Sequence, residues 1–259
     1  MSDDTRSSPA YIWMRERQSE GWFNRETAEL TRGVRIDAAH TVIDVGCGEG
    51  GIIGFVAAQG AEVIFIDRDA ARLAGTEARI KVSPARAYQA VHSDCDPIPL
   101  GDDLGDLVIC TEVLEHVPDP VRFLQELIRV ARPGAQLLLS VPDGRAEQFV
   151  RATAPPQYFE APNHIRVFSA QDFATLVLEQ GLEIESHRFS GCFWSMFWPL
   201  SWMTCTPGGD LPTANKHPIV EHWVQLWQLV HEHPEGHKIR DTLNQLLPKS
   251  QTIVARKPR

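Results

Sequence analysis

Nowhere in the chain do about 18 apolar residues run together, the length that marks a membrane-crossing helix, and the N-terminal MSDDTRSSPA is polar and acidic with no apolar h-region. Neither a membrane span nor a secretory leader is therefore expected. The five cysteines, at 47, 95, 110, 192 and 205, are odd in number and form no C-x-x-C pair, which argues against a disulfide framework and against a zinc site. They read as reduced thiols of a cytoplasmic protein. Basic charge is also short: 25 Lys and Arg stand against 34 Asp and Glu, a formal net charge of -9. Nucleic-acid binding draws on cations that neutralise phosphates, so no nucleic-acid partner is expected. The remaining composition, 43% hydrophobic in 259 residues, can bury the core of one large α/β domain.

What is present centres on Thr41 to Asp67, TVIDVGCGEGGIIGFVAAQGAEVIFID. A buried strand from Val42 to Val45 leads into a turn carrying Gly46, Gly48, Gly50, Gly51 and Gly54, then a short helix, then a second buried strand that ends in an acid. Glycines suit a place where a ligand approaches the backbone closely, and Asp67 at a strand tip can accept ribose hydroxyls. The same residues fit G-x-G-x-x-G with an acid 21 positions after Gly46, the fingerprint of a dinucleotide site. This stretch alone leaves a nicotinamide-dependent oxidoreductase open.

In chain order, Tyr11 to Arg32 reads as a helix ended by Gly33, and residues 1 to 10 as disordered. Ala70 to Val82 is helical and stopped by Pro84, and a third strand follows near Ala87 to Val91. Asp94 follows that strand as Asp67 follows the second, so both acids belong to the carboxyl ends of the strands, along one edge of the ligand crevice. Asp106 to Thr111 is a fourth buried strand. Asp119 caps a helix with Pro120 at its first position and a predicted stripe at 120, 124, 127, 128 and 131. Gln136 to Val141 is a fifth strand, and Pro142 to Val167 a long connection with little periodicity. Ser169 opens a helix closed by Gly181, Glu183 to Phe189 is a sixth strand, and residues 251 to 256 a last one.

Four features converge: Asp44 in DVGCGEG, Asp67, Asp94, and EVLEHVPDP at 112 to 120 with the PGAQLLLSVP strand at 133 to 142. On these the chain resembles the class I S-adenosylmethionine-dependent methyltransferases, in the branch with a D-V-G-C-G-x-G loop and an E-V-L-E-H-V segment that includes ubiquinone-biosynthesis O-methyltransferases. The resemblance covers roughly residues 38 to 189 plus the last strand. It implies a Rossmann-like α/β fold, a seven-stranded mostly parallel sheet in the order 3-2-1-4-5-7-6 with its last strand antiparallel. It also implies S-adenosyl-L-methionine as cofactor, with S-adenosyl-L-homocysteine as product and no metal. Asp44, Gly46, Cys47, Gly48 and Gly50 would line the loop under the methionine part, Asp67 with Arg68 the ribose side, Asp94 and Cys95 the adenine, and Glu112 with Val113 the sulfonium end. Glu49 departs from the pattern, where many relatives carry a smaller or hydroxylated residue.

The expected organisation is a single domain over 1–259, with a helical cap (1–37), a cofactor-binding core (38–189 plus 251–256) and a helical insertion (190–249). In the insertion Trp194, Trp198 and Trp202 repeat at helical spacing and a further helix carries Trp223 and Trp227. These stripes either pack on each other as a satellite core or wall an apolar acceptor site or membrane-touching face. The acceptor is expected to be a small apolar, aromatic or lipid-linked molecule, methylated on a hydroxyl oxygen. Transfer to nitrogen or carbon, or a cofactor-binding partner subunit without turnover, are the alternatives on the same fold. A neutral histidine suits the general base. His164, in the long connection, is the first candidate and His116 the second, the latter with a structural reading beside it. His92 and His187 are weaker.

Overall fold

The computed structural model describes residues 8–205 and 215–259. The chain divides into two compact units. The sheet unit comprises Gly21–Val141, Ala170–Arg188 and Thr252–Arg259, and the helical unit Met1–Glu20, Pro142–Ser169 and Phe189–Gln251.

The sheet unit begins with a small antiparallel pair, β1 (Glu29–Thr31) and β2 (Val34–Arg35). Its seven-stranded sheet contains β3 (Thr41–Val45), β4 (Glu62–Asp67), β5 (Ala87–His92), β6 (Gly105–Thr111), β7 (Ala131–Pro142), β8 (Glu183–Ser190) and β9 (Ser250–Arg256). Their order, β5-β4-β3-β6-β7-β9-β8, is the 3-2-1-4-5-7-6 arrangement that the resemblance implies. β5, β4, β3, β6 and β7 pair in parallel, each with its neighbour. Parallel central strands are covered on both faces, and every residue of β3 is buried accordingly. The connection leaves β3 toward β4 on one side and returns to β6 on the other, which makes the carboxyl ends of β3 and β6 the topological switch point where open α/β sheets bind ligands.

Helix ends follow local chemistry. Asp69 caps α3 (Ala70–Ile80) by accepting from the N–H groups of Ala71 and Arg72. Asp119 caps α4 (Pro120–Val130), where Pro120 occupies the first turn. The buried stripe of α4 is Phe123, Leu124, Leu127 and Val130, turned from the predicted one so that Phe123 rather than Ile128 faces inward. α2 (Gly51–Ala58) and α6 (Ala170–Glu179) complete the unit's helices.

The helical unit holds α1 (Pro9–Ser19), α5 (Gly144–Val150), a 3-10 turn at Pro156–Phe159, α7 (Cys192–Thr204), α8 (Pro218–Glu232) and α9 (Gly236–Leu246). The predicted helix from Tyr11 to Arg32 ends at Ser19, because Gly21 adopts φ 88 and the chain turns into the β1–β2 pair. Pro9 and Ala10 belong to α1, and the rest of the segment expected to be disordered lies outside the described residues, apart from the capping Ser8. The connection after β7 is likewise more regular than its sequence suggested, since it contains α5 and the 3-10 turn.

The insertion helices do form a satellite core, of Ile12, Cys192, Phe193, Phe197, Val220, Val224 and Trp227. On α7 the rings that meet α8 are those of Phe193, which stacks on Trp223 with centroids 5.9 Å apart, and Phe197 lies fully buried beside it. The Trp194, Trp198 and Trp202 stripe occupies the adjoining, half-buried face. Gly236 is needed where α9 starts, because a side-chain carbon there would fall 1.7 Å from the Val230 carbonyl oxygen. Trp227 donates its indole N–H to the buried Glu16 at 2.9 Å, and burial with Glu20 nearby pushes the Glu16 carboxyl up to about 8. No helix among the described residues is long and apolar enough to cross a membrane.

Candidate functional site

At the carboxyl end of β3 the chain turns sharply. Gly46 and Cys47 both donate their N–H groups to the Ile66 carbonyl at the end of β4, at 2.8 and 3.0 Å. Gly46 sits at φ 78, and a methyl group on it would lie 2.4 Å from Val113 Cγ2. Any other residue would therefore be strained in its backbone and would displace Val113. Gly48 donates its N–H to Asp67 Oδ2 at 2.7 Å, while Asp69 N–H binds the other oxygen at 2.8 Å. The loop and the acid at the tip of β4 are thus fixed to each other. Gly50, at φ 68, starts α2. The unusual Glu49 points outward with its side chain 80% exposed, so it leaves the interior of the loop unaltered.

Asp44, the acid of the D-V-G-C-G run, is 2% exposed, and among the described residues no donor reaches its carboxyl. Burial, and secondarily the nearby Asp67, push it up to about 7. Burial also pushes Cys95 up to about 12 and Cys47 well above the thiol range, so both sulfurs are packing groups and not nucleophiles.

Two non-glycine residues of this rim adopt left-handed backbone: Cys95 at φ 64 and Glu112 at φ 56. Such conformations cost energy and concentrate at ligand sites. Glu112 is held by β7, accepting from the Ser140 hydroxyl at 2.9 Å while its N–H donates to the Ser140 carbonyl. Asp94 is exposed beside Cys95 and accepts from the Asp96 N–H at 3.3 Å. Asp44, Gly46, Cys47, Gly48, Gly50, Asp67, Arg68, Asp94, Cys95, Glu112 and Val113 all belong to the sheet unit, at or just beyond the ends of β3, β4, β5 and β6. Of these Arg68 is exposed, and its contribution to the structure is a carbonyl 3.0 Å from His92 Nε2. His116 lies 3.5 Å from the buried Glu115 carboxylate, and His187 packs its ring edge-on to Phe173.

His164 is placed in the helical unit. Its Nδ1 lies 2.9 Å from Glu147 Oε2 on α5, and its ring rests against Tyr158 with centroids 4.3 Å apart. Glu147 is 1% exposed and has two more donors on its other oxygen: the Tyr158 hydroxyl at 3.0 Å and Lys249 Nζ at 3.3 Å. Burial alone would raise this carboxyl, but the His164 hydrogen bond, the Lys249 charge and the Tyr158 hydroxyl together hold it below the ordinary range. An aromatic row runs into the cluster from α7: Trp194 to Trp198 at 6.0 Å, Trp198 to Trp202 at 6.0 Å, and Trp202 to Tyr158 at 5.0 Å. Glu147 and Lys249 were not anticipated from the sequence.

A parallel sheet with a glycine turn at its switch point and an acid on each of its first strands defines a nucleotide-type binding domain. The family profile described as "Methyltransferase domain" matches residues 14–187, and the chain belongs to that family. A protein of Mycolicibacterium smegmatis named as a probable S-adenosylmethionine-dependent methyltransferase is 31% identical over 166 residues, covering 63% of this chain and 60% of that protein. A ubiquinone biosynthesis O-methyltransferase of Hahella chejuensis is 34% identical over 122 residues, covering 45% and 49%. The chain thus matches about half to three fifths of the length of these relatives. The crystal structure of a candidate methyltransferase of Bacillus halodurans superposes with a TM-score of 0.59 at 20% identity, covering 86% of this chain and 95% of that one, a likeness of fold.

Proposed function

We propose that the protein is an S-adenosylmethionine-dependent methyltransferase acting on a hydroxyl oxygen of a small apolar, aromatic or lipid-linked acceptor. The observation that carries the reading is Asp44, a buried carboxyl to which no donor among the described residues is hydrogen-bonded, at the end of β3 beside a glycine turn packed on Val113. A cationic ligand that brings N–H donors satisfies such a group, whereas a pyrophosphate would meet a like charge. The residues present therefore fit the amino-acid end of S-adenosylmethionine. Gly46, Cys47, Gly48 and Gly50 would border it, Asp67 and Arg68 the ribose side, Asp94 and Cys95 the adenine, and Glu112 and Val113 the sulfonium end.

When bound, S-adenosylmethionine supplies a methyl group already activated by its positive sulfur, which leaves with the electron pair of the broken bond. The chain's own work is to orient the acceptor, exclude water and take one proton. His164 is the proposed base. The row from Trp194 to Tyr158 ends beside it and supports a flat, apolar acceptor. His116 is assigned to ordering its own loop, beside Glu115. The Hahella relative is named as an O-methyltransferase, which supports oxygen as the atom methylated. All five cysteines are free, which supports a cytoplasmic location.

The test is methyl transfer from radiolabelled S-adenosylmethionine to a panel of alkylated phenols and lipid-linked alcohols. His164→Ala should lower transfer about a hundredfold or more, in the range of general-base contributions, with cofactor affinity unchanged. Full transfer by that variant would remove His164 from the chemistry.

A further inference from the structure

We propose that Arg129 and Glu126 of α4 are positioning residues for the purine side of the cofactor site: they clamp the loop between β5 and β6, and the clamped loop makes the site select a 6-amino purine. The inference rests on the reading that places Asp94 and Cys95 at the adenine.

Residues 93–104 join β5 to β6 without a helix or strand of their own, and exposed segments of that kind are ordinarily mobile. Here the loop is held to α4 along most of its length. A guanidinium has five N–H donors in one plane, and Arg129 uses all five. Its Nε donates to Glu126 Oε1 at 2.9 Å, and Nη1 donates to the Leu100 carbonyl at 2.8 Å and to Asp102 Oδ1 at 2.7 Å. Its Nη2 donates to the Ile98 carbonyl at 2.8 Å and to Glu126 Oε2 at 2.7 Å. Glu126 Oε2 also accepts the Ile98 N–H at 3.0 Å, so the pair fixes both backbone groups of Ile98, whose side chain is buried. The Arg129 hydrogen bond holds the Glu126 carboxyl below the ordinary range, which keeps it ionised and accepting at neutral pH. On either side of this pair, Arg122 Nη2 meets Asp96 Oδ1 at 2.8 Å, and the Asp103 and Leu104 N–H groups donate to the carbonyls of Arg129 and Val130.

The residues read as facing the purine sit at the start of this clamped loop. Cys95, three positions before Ile98, keeps a left-handed backbone at φ 64, which persists only where the surroundings hold it. Asp94 Oδ1 accepts from the Asp96 N–H at 3.3 Å, and Asp96 is itself tied to Arg122. A carboxylate held in this way can accept an N–H of an exocyclic amino group, whereas a 6-oxo group would meet it oxygen to oxygen. Releasing the loop lowers the fraction of chains with Asp94 in place, and apparent affinity falls with that fraction. What is lost first is the contact that reads the amino group.

The test is calorimetry with S-adenosylhomocysteine and its 6-oxo analogue, S-inosylhomocysteine, on the full wild-type chain and on Arg129→Lys, Glu126→Gln and Asp94→Asn. Wild type should favour the adenosyl ligand about tenfold or more, as expected for a hydrogen bond to a charged group. Arg129→Lys replaces a planar fork by a point charge; it should weaken the adenosyl ligand about tenfold, change the inosyl ligand little and so erase the preference. Glu126→Gln, of equal size, should act in the same direction to a smaller extent. Equal weakening of both ligands, as a merely structural role would give, or an unchanged preference in both clamp variants, would overturn the proposal. Where these variants do not fold, hydrogen exchange in the ligand-free wild type decides: the Ile98 N–H should exchange far more slowly than an unstructured loop, and exchange at the rate of an open loop would overturn the clamp. The adenine placement fails separately, when Asp94→Asn keeps the wild-type preference; a preference lost in Asp94→Asn but kept in Arg129→Lys sinks the clamp alone.

Discussion

Asp44 in the sheet unit and Glu147 in the helical unit are both carboxyls removed from water, at 2% and 1% exposure, yet they are driven in opposite directions. Asp44 is buried with another acid, Asp67, nearby, and rises to about 7. Glu147 meets the same burial with a histidine, a lysine and a tyrosyl hydroxyl and falls below its ordinary value. Burial by itself does not identify what a carboxyl is for; its donors do. Glu147 is satisfied by the chain, whereas Asp44 is suited to a cation from outside.

The largest effect that would sharpen this contrast is on stability. Glu147→Gln leaves Lys249 without its anion and should destabilise the protein by about 3 kcal/mol in urea unfolding; an unchanged midpoint would break the comparison from the Glu147 side. Asp44→Asn should do the reverse. Because the Asp44 carboxyl is raised to about 7 in the folded chain, its contribution to stability is fully present below the unfolded value and is lost as pH rises through about 7. At pH 8 the ionised group opposes folding by up to about 4 kcal/mol, and an Asn that cannot ionise escapes that penalty. The variant should therefore be more stable than wild type at pH 8 and gain less at pH 5.

Next in size is cofactor binding. If a cationic ligand favours ionised Asp44, calorimetric affinity for S-adenosylmethionine should fall below pH 7, approaching tenfold per unit, and proton release should be measurable in buffers of different ionisation heat. A flat profile would place the ligand's cation elsewhere. The smallest effect belongs to Tyr158→Phe, which removes one of Glu147's three donors and should cost about 1 kcal/mol in unfolding free energy. A loss as large as that of Glu147→Gln would mean that Tyr158, and not the carboxylate, holds the cluster.

The sheet and its glycine turn were legible in the sequence because buried parallel strands read as short apolar runs, each followed by the acid that marks its carboxyl end: Asp67, Asp94, Glu112. Elements whose logic is tertiary were not. α5 is seven residues long and buries Glu147 among apolar positions, so it shows no helical period, and Glu147's partners come from residues 158, 164 and 249. Lys249 is separated from Glu147 by 102 positions, a pairing that no local pattern reveals. The overlong first helix had a similar origin, since Trp22 continues the apolar pattern but packs in the core of the sheet unit after the chain has turned at Gly21. On α7 the tryptophans drew attention, while the core contact is made by Phe193 and Phe197, four residues apart on the same face.

What Asp44 receives is tested most directly by one calorimetric pair: S-adenosylmethionine and NADH titrated into wild type and Asp44→Asn at pH 8. S-adenosylmethionine should bind the wild type and lose about tenfold or more in the variant, as expected for a charged hydrogen bond, and NADH should bind neither. Equal affinity of both proteins for S-adenosylmethionine, or saturable binding of NADH, would contradict a cationic partner for Asp44.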